Sequence, residues 1–246
     1  MLAFMVDSGG LVATSDPLTI VVVAALAVVF LVIYFTISAA RARKRSQAIT
    51  RVAQEIGFSF EGDKWSDPEQ GRNLKTALFK KGRALGFKNI MTGSSAELRA
   101  SLFDYSFQVG AGRESHNYAQ TVATFLKRGL VLSEFELEPA GIMQKIGDAL
   151  VHKNIRFDSH PEFPQRYQLR SPDEEGTREL FTPALLSYLE GLDPKKKWRL
   201  EGTGETLILY RAGKRVDPGE LRRFFDEAGA LAGSFFSLVG ARKSAS

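Results

Sequence analysis

Residues 18–45 read LTIVVVAALAVVFLVIYFTISAARARKR: an uncharged run up to Ala40, followed at once by Arg41, Arg43, Lys44 and Arg45. As a helix rising ~1.5 Å per residue, 18–40 spans roughly 35 Å, enough to cross a hydrocarbon core of about 30 Å. Between Leu18 and Ile37, 14 residues are Leu, Ile, Val or Phe. Each favours insertion by about 0.3 to 0.6 kcal/mol at a helix centre. A cleaved secretory signal would put basic residues ahead of a shorter apolar core, whereas residues 1–17 hold Asp7 and Asp16 and no Lys or Arg. A buried core helix would show a polar stripe. The run therefore predicts a single transmembrane helix over 18–40, in contact with the lipid bilayer.

The basic cluster lies only after the span, so the C-terminal side is expected in the cytoplasm and residues 1–17 form a short extracytoplasmic tail. Pro17 suits the first helical position, and Tyr34 suits an interfacial anchor near the basic end. The formal net charge is +5. The cluster supplies four positive charges and the tail two negative ones, which leaves +3 for residues 46–246, too small an excess to argue for nucleic acid. There is no cysteine, which excludes disulfides, thiol nucleophiles, thiolate metal sites and a lipidated N-terminal Cys.

Beyond the span, Ile49, Val52, Ala53 and Ile56 recur at helical spacing before Gly57, a natural stop. Stretches 74–79, 87–91, 98–109, 120–126 and 133–137 are rich in β-formers and divided by Gly, Ser and Lys. The alternation Glu134, Phe135, Glu136, Leu137, Glu138 predicts carboxylates on water and apolar side chains on a core. Short links between these strands favour antiparallel pairing. Later, Ser171-Pro172-Asp173-Glu174, Thr182-Pro183 and Asp217-Pro218-Gly219-Glu220 mark helix starts. Residues 198–202 and 206–210 make a hairpin around Thr203-Gly204. The whole predicts an α+β domain with a mainly antiparallel sheet and flanking helices. Its expected limits are a basic juxtamembrane segment and helix at 41–57, the domain at 58–233 and a tail at 234–246.

Sites for chemistry are few. The histidines His116, His152 and His160 show no metal-ligand spacing. Asp158, His160 and Glu162 lie close in sequence, where two carboxylates could orient an imidazole as a general base. Asp104 sits inside a strand between Phe103 and Tyr105, an unusual place for Asp; it could bind a cation or peptide, or accept from an Arg such as Arg166 or Arg170. The Gly110–Ser115 stretch lacks the Lys-Ser/Thr end and following helix of a phosphate loop. No catalytic residue, metal site or cofactor is assigned. Near the end, Phe235, Phe236, Leu238 and Val239 precede Arg242 and Lys243, which suits a tail on an anionic membrane or in a partner's groove. Lys195, Lys196, Lys197, Arg199, Lys214 and Arg215 could add to such a surface.

Phe103-Asp104-Tyr105, Pro161-Glu162-Phe163, Arg166-Tyr167 with Leu169, and Leu180-Phe181 resemble motifs of an uncharacterised family of bacterial single-pass inner-membrane proteins with a cytoplasmic α+β domain. The likeness spans roughly residues 50–225, and Pro164 departs from it. The resemblance implies an inner-membrane location and carries no activity. The leading expectation is a membrane-anchored binding or scaffold protein with an unidentified membrane-protein partner. The alternatives are a membrane-bound hydrolase using Asp158/His160/Glu162 or Asp104, and an anionic-lipid-sensing domain.

Overall fold

Pro17 opens the first helix, α1 (Pro17–Glu55), where its missing N–H would find no partner in any case. The computed structural model describes residues 17–72, 74–141 and 153–243. Contacts divide the chain after Arg45 into two units. In the first, α1 holds a window of mean hydropathy 3.1 with none of it buried, so the helix is long and apolar enough to cross a membrane. Arg41, Arg43 and Lys44 are exposed and Arg45 is half-buried.

In the second unit the end of α1 buries Ile49, Val52 and Ala53. Gly57 takes φ 75° just past it. The chain then lays down β1 (Ser59–Gly62), short helices α2 (Pro68–Arg72) and α3 (Ala77–Lys80), and the long strands β2 (Arg83–Ser94), β3 (Leu98–Val109) and β4 (His116–Lys127). After β5 (Leu132–Pro139) come α4 (Phe163–Arg166), β6 (Tyr167–Arg170), α5 (Glu174–Leu180) and α6 (Pro183–Glu190). The hairpin β7 (Arg199–Gly204) and β8 (Thr206–Tyr210) precedes the last helix, α7 (Leu221–Lys243). The strands form one sheet of order β1-β2-β3-β4-β8-β7-β5-β6, paired antiparallel throughout. This is the α+β class with flanking helices that the sequence predicts.

Both faces of the sheet are buried. On one, Leu102, Phe125, Phe135, Leu137, Leu200, Leu207 and Leu209 meet the end of α1, α5, α6 and α7 in a single apolar core. On the other, Phe103, Tyr105, Phe107, Val122, Ile208 and Tyr210 pack with Leu78 of α3 and with Trp65 and Phe79. Residues 63–72 and 74–81 cover this second face, and that covering produces two differences from what the sequence predicts. Stretch 74–79, expected as a strand, instead leads into α3: Leu78 is packed into the aromatic cluster and its N–H donates to Glu201 at 2.8 Å, so it does not join the sheet. Glu136 and Glu138, expected on water, are only 5 % and 7 % exposed.

The chain end differs as well. Residues 234–243 continue α7. Phe235, Phe236 and Val239 are buried and Leu238 packs against them. Phe235 stacks on Phe135 at 5.8 Å, and burying such a ring stabilises by about 1.5–3 kcal/mol. These four side chains are core, not the outward-facing contact that the sequence suggested. Asp173 caps α5 by accepting from Gly176 N, and Thr182 caps α6 by accepting from Leu185 N.

Asp104 is 2 % exposed and ties three segments together. It accepts from Asn89 Nδ2 at 3.0 Å and from Thr121 Oγ1 at 2.9 Å. Asn89 sits in the left-handed region at φ 53°, where β2 slips register against β3. The Thr121 hydroxyl in turn accepts from Val216 N at 2.9 Å, on the approach to α7. Arg166 and Arg170 bond elsewhere. Asp104→Ala leaves two buried donors unpaired, each worth about 1–3 kcal/mol. A thermal melt is expected to fall by roughly 5–15 °C; an unchanged melt contradicts the assignment.

Candidate functional site

The charged half of the second face begins where its aromatic half ends. Across β8, β7, β5 and β6 the register places Ile208, Glu201, Glu136 and Arg170 in one row, with Glu201 directly opposite Glu136. Like charges so placed repel. The turn after α3 answers them: Lys81 Nζ donates to Glu136 and lies 3.6 Å from Glu138. Glu138 also accepts from Arg199 and, at 3.1 Å, from Arg170 Nη1. Glu201, fully buried, accepts from Leu78 N at 2.8 Å and from the Tyr210 hydroxyl at 2.6 Å. Three carboxylates thus meet three cations under α3.

Their proton affinities follow from this packing. Burial, then the Glu201 charge, pushes Glu136 up to about 7. Burial would raise Glu138 too, but Arg199, Lys81 and Arg170 together hold it below its usual range. Burial would lower Lys81, and Glu201, Glu136 and Glu138 outweigh it and raise the ammonium's affinity. Burial and Glu201 raise the Tyr105 phenol to about 12. Only Glu136 among these moves into the neutral range, and it does so beneath a cover, engaged by Lys81.

The Asp158/His160/Glu162 group does not converge. Asp158 and Glu162 are exposed. His160 turns to Ser159 Oγ through Nδ1 and to Ser187 Oγ through Nε2, both at 3.1 Å, with Glu190 Oε2 3.9 Å from Nε2. A serine–histidine contact invites a nucleophilic reading. Here, however, Nδ1 faces a hydroxyl rather than a carboxylate, and Ser187 lies in the interior of α6, where helical bonding engages the amides an oxyanion would need. His116 is exposed at the start of β4, and His152 lies outside the described residues. Among the described residues no cluster of three or more His, Asp or Glu is arranged to hold a metal.

The basic residues of 195–215 divide between the two environments. Arg199 is buried on Glu138, and Lys196 and Arg211 join Arg223 in clasping Glu227. The hydrogen bond from Lys196 and those from Arg223 and Arg211 hold Glu227 below its usual range against its partial desolvation. Lys195, Lys197, Lys214 and Arg215 remain exposed.

A cleft of about 410 Å³ opens at the ends of β5, β6 and β7. Tyr167, Leu192 and Trp198 line it with apolar surface, and Arg166, Asp193 and Lys197 with charge. Its size lies within the range of ligand sites, about 300–1,000 Å³. No local motif marks it, because its walls come from three separated stretches.

No protein-family model matches this chain, and no curated protein matches its sequence. A similar fold is found in the crystal structure of the mycobacterial trehalose monomycolate transport factor A, TtfA, with a TM-score of 0.53 and 12 % identity. The likeness covers 80 % of this chain and 95 % of that one. At that identity it establishes a shared fold.

Glu136 sets a pH dependence. An acid whose affinity is raised in the fold stabilises fully below its ordinary value of 4.5, and the contribution is lost as pH climbs through about 7. Glu136→Gln keeps an acceptor for Lys81 and cannot ionise. It is expected to melt about 2–8 °C higher than the parent at pH 8.5, for about 1–2 kcal/mol, and nearly level with it at pH 5. Melting scans at the two pH values check this; a lower melt at pH 8.5 would show that attraction to Lys81 outweighs repulsion from Glu201.

Proposed function

We propose that this chain is a single-pass protein of the bacterial inner membrane, with its N-terminus outside and a cytoplasmic domain that works by binding, as an accessory or scaffold factor. The observation that carries this reading is α1. Its apolar stretch is fully uncovered, and the basic residues Arg41, Arg43, Lys44 and Arg45 follow that stretch with none ahead of it. The domain's ionisable groups favour binding over chemistry, since the dense cluster under α3 is internally paired and the His160 group lacks a carboxylate on Nδ1. The fold shared with a protein named as a transport factor supports an accessory role in transport.

The absence of cysteine makes topology directly measurable. Ser8→Cys and Ala96→Cys each introduce one thiol, the second in the exposed turn between β2 and β3. In intact spheroplasts a membrane-impermeant maleimide is expected to label the Ser8 variant at once and the Ala96 variant only after permeabilisation. The reverse pattern refutes the orientation, and labelling of both before permeabilisation refutes the anchor.

A further inference from the structure

The cleft at the ends of β5, β6 and β7 has two kinds of surface. Tyr167, Leu192 and Trp198 form its apolar wall, and Tyr167 and Trp198 are themselves 6 % exposed. The Tyr167 hydroxyl is already committed, donating to Leu189 O at 3.1 Å, so what it offers the cleft is its ring. Asp193, the one carboxylate among the described residues of the lining, accepts from Lys195 N at 2.9 Å. Arg166 donates to Glu190 O through Nη1 and keeps its other N–H groups. Lys197 forms no ion pair among the described residues, and its exposed side chain lines the cleft.

Lys197 also holds an unusual backbone. It sits at φ 51° and ψ 41°, and only Asn89 shares a positive φ among the described non-glycine residues. That region disfavours a residue with a Cβ by about 1–2 kcal/mol. Asn89 is held there by Asp63 and Asp104; among the described residues no side-chain bond holds Lys197. Glycine would relieve the strain, yet the position carries a long cation at the mouth of an aromatic cleft.

We infer that this cleft binds an anionic single-chain amphiphile, its acyl chain against Tyr167, Leu192 and Trp198 and its anionic head on Lys197 and Arg166. The volume of about 410 Å³ suits one chain rather than two. Lysine and arginine supply the charge complement, and aromatic rings flank an apolar body without needing a polar partner. The inference goes beyond the anchoring reading, and its test reads the cleft independently of topology.

The test uses the full chain in phosphatidylcholine nanodiscs with two photoactivatable probes, a diazirine-tagged lysophosphatidate and a lysophosphatidylcholine of the same chain. Mass spectrometry is expected to find the anionic probe on peptides holding Tyr167 and Trp198, well above the zwitterionic one. Lys197→Gln should lower that labelling about fivefold, the effect of one cation near a lipid phosphate. Lys197→Gly should lower it equally while melting at the same or a higher temperature, which separates binding from folding. Equal labelling by both probes, labelling confined to residues 18–40, or no loss in Lys197→Gln would overturn the inference. Displacement of the anionic probe by millimolar inorganic phosphate would assign the site to the free anion and overturn the amphiphile.

Discussion

The fold depends on one constraint: a single antiparallel sheet is covered on both faces, so no strand in its centre has a side that can be given to water. The face under α5, α6 and α7 meets this mainly with aliphatic and aromatic side chains, its buried carboxylate Asp104 being paired with Asn89 and Thr121. The face under residues 63–72 and 74–81 does so for only half its width. Beyond Ile208 and Tyr210 it carries Glu201, Glu136, Glu138, Arg170 and Arg199. A charge taken from water without a partner costs several kcal/mol, so each carboxylate there must meet a cation or an N–H. Lys81 and the Leu78 amide, both brought by the α3 strap, complete the set. The strap is therefore tied at one end by aromatic packing and at the other by ions, and the cluster reads as architecture rather than a reactive centre.

What the sequence revealed and what it concealed divide along this same line. The apolar helix, the strands β3, β4 and β5, the Thr182-Pro183 start and the β7–β8 hairpin follow from local pattern, because neighbours in sequence decide them. The burial of Glu136 and Glu138 does not, since alternation fixes which side chains share a face and says nothing about what covers it. Only a segment some 55 residues earlier in the chain, Lys81 opposite Glu136, decides that. Likewise the periodicity of Phe235, Phe236, Leu238 and Val239 was plain, but whether its partner was membrane or sheet depended on Phe135 and Phe181, far away in sequence. Asp104 was legible as an oddity; its partners Asn89 and Thr121 were not, because they rest on the bulge in β2 and on strand register.

The candidate sites changed in the same way. Of the groups that looked chemical in sequence, Asp158 and Glu162 are exposed and His160 bonds Ser159 and Ser187, while the place with room for a ligand arises from residues that carry no motif. A domain with its charges paired inside and an amphipathic cleft at one end of its sheet is suited to recognition. It is joined in sequence to a helix long and apolar enough to cross a membrane and to a basic cluster.

The most direct measurement of that claim is proximity labelling in living cells, comparing the full chain with a form lacking residues 1–45, which keeps the whole second unit. The account predicts a small set of membrane proteins enriched only by the anchored chain. The same set from both forms, or none from either, would contradict it.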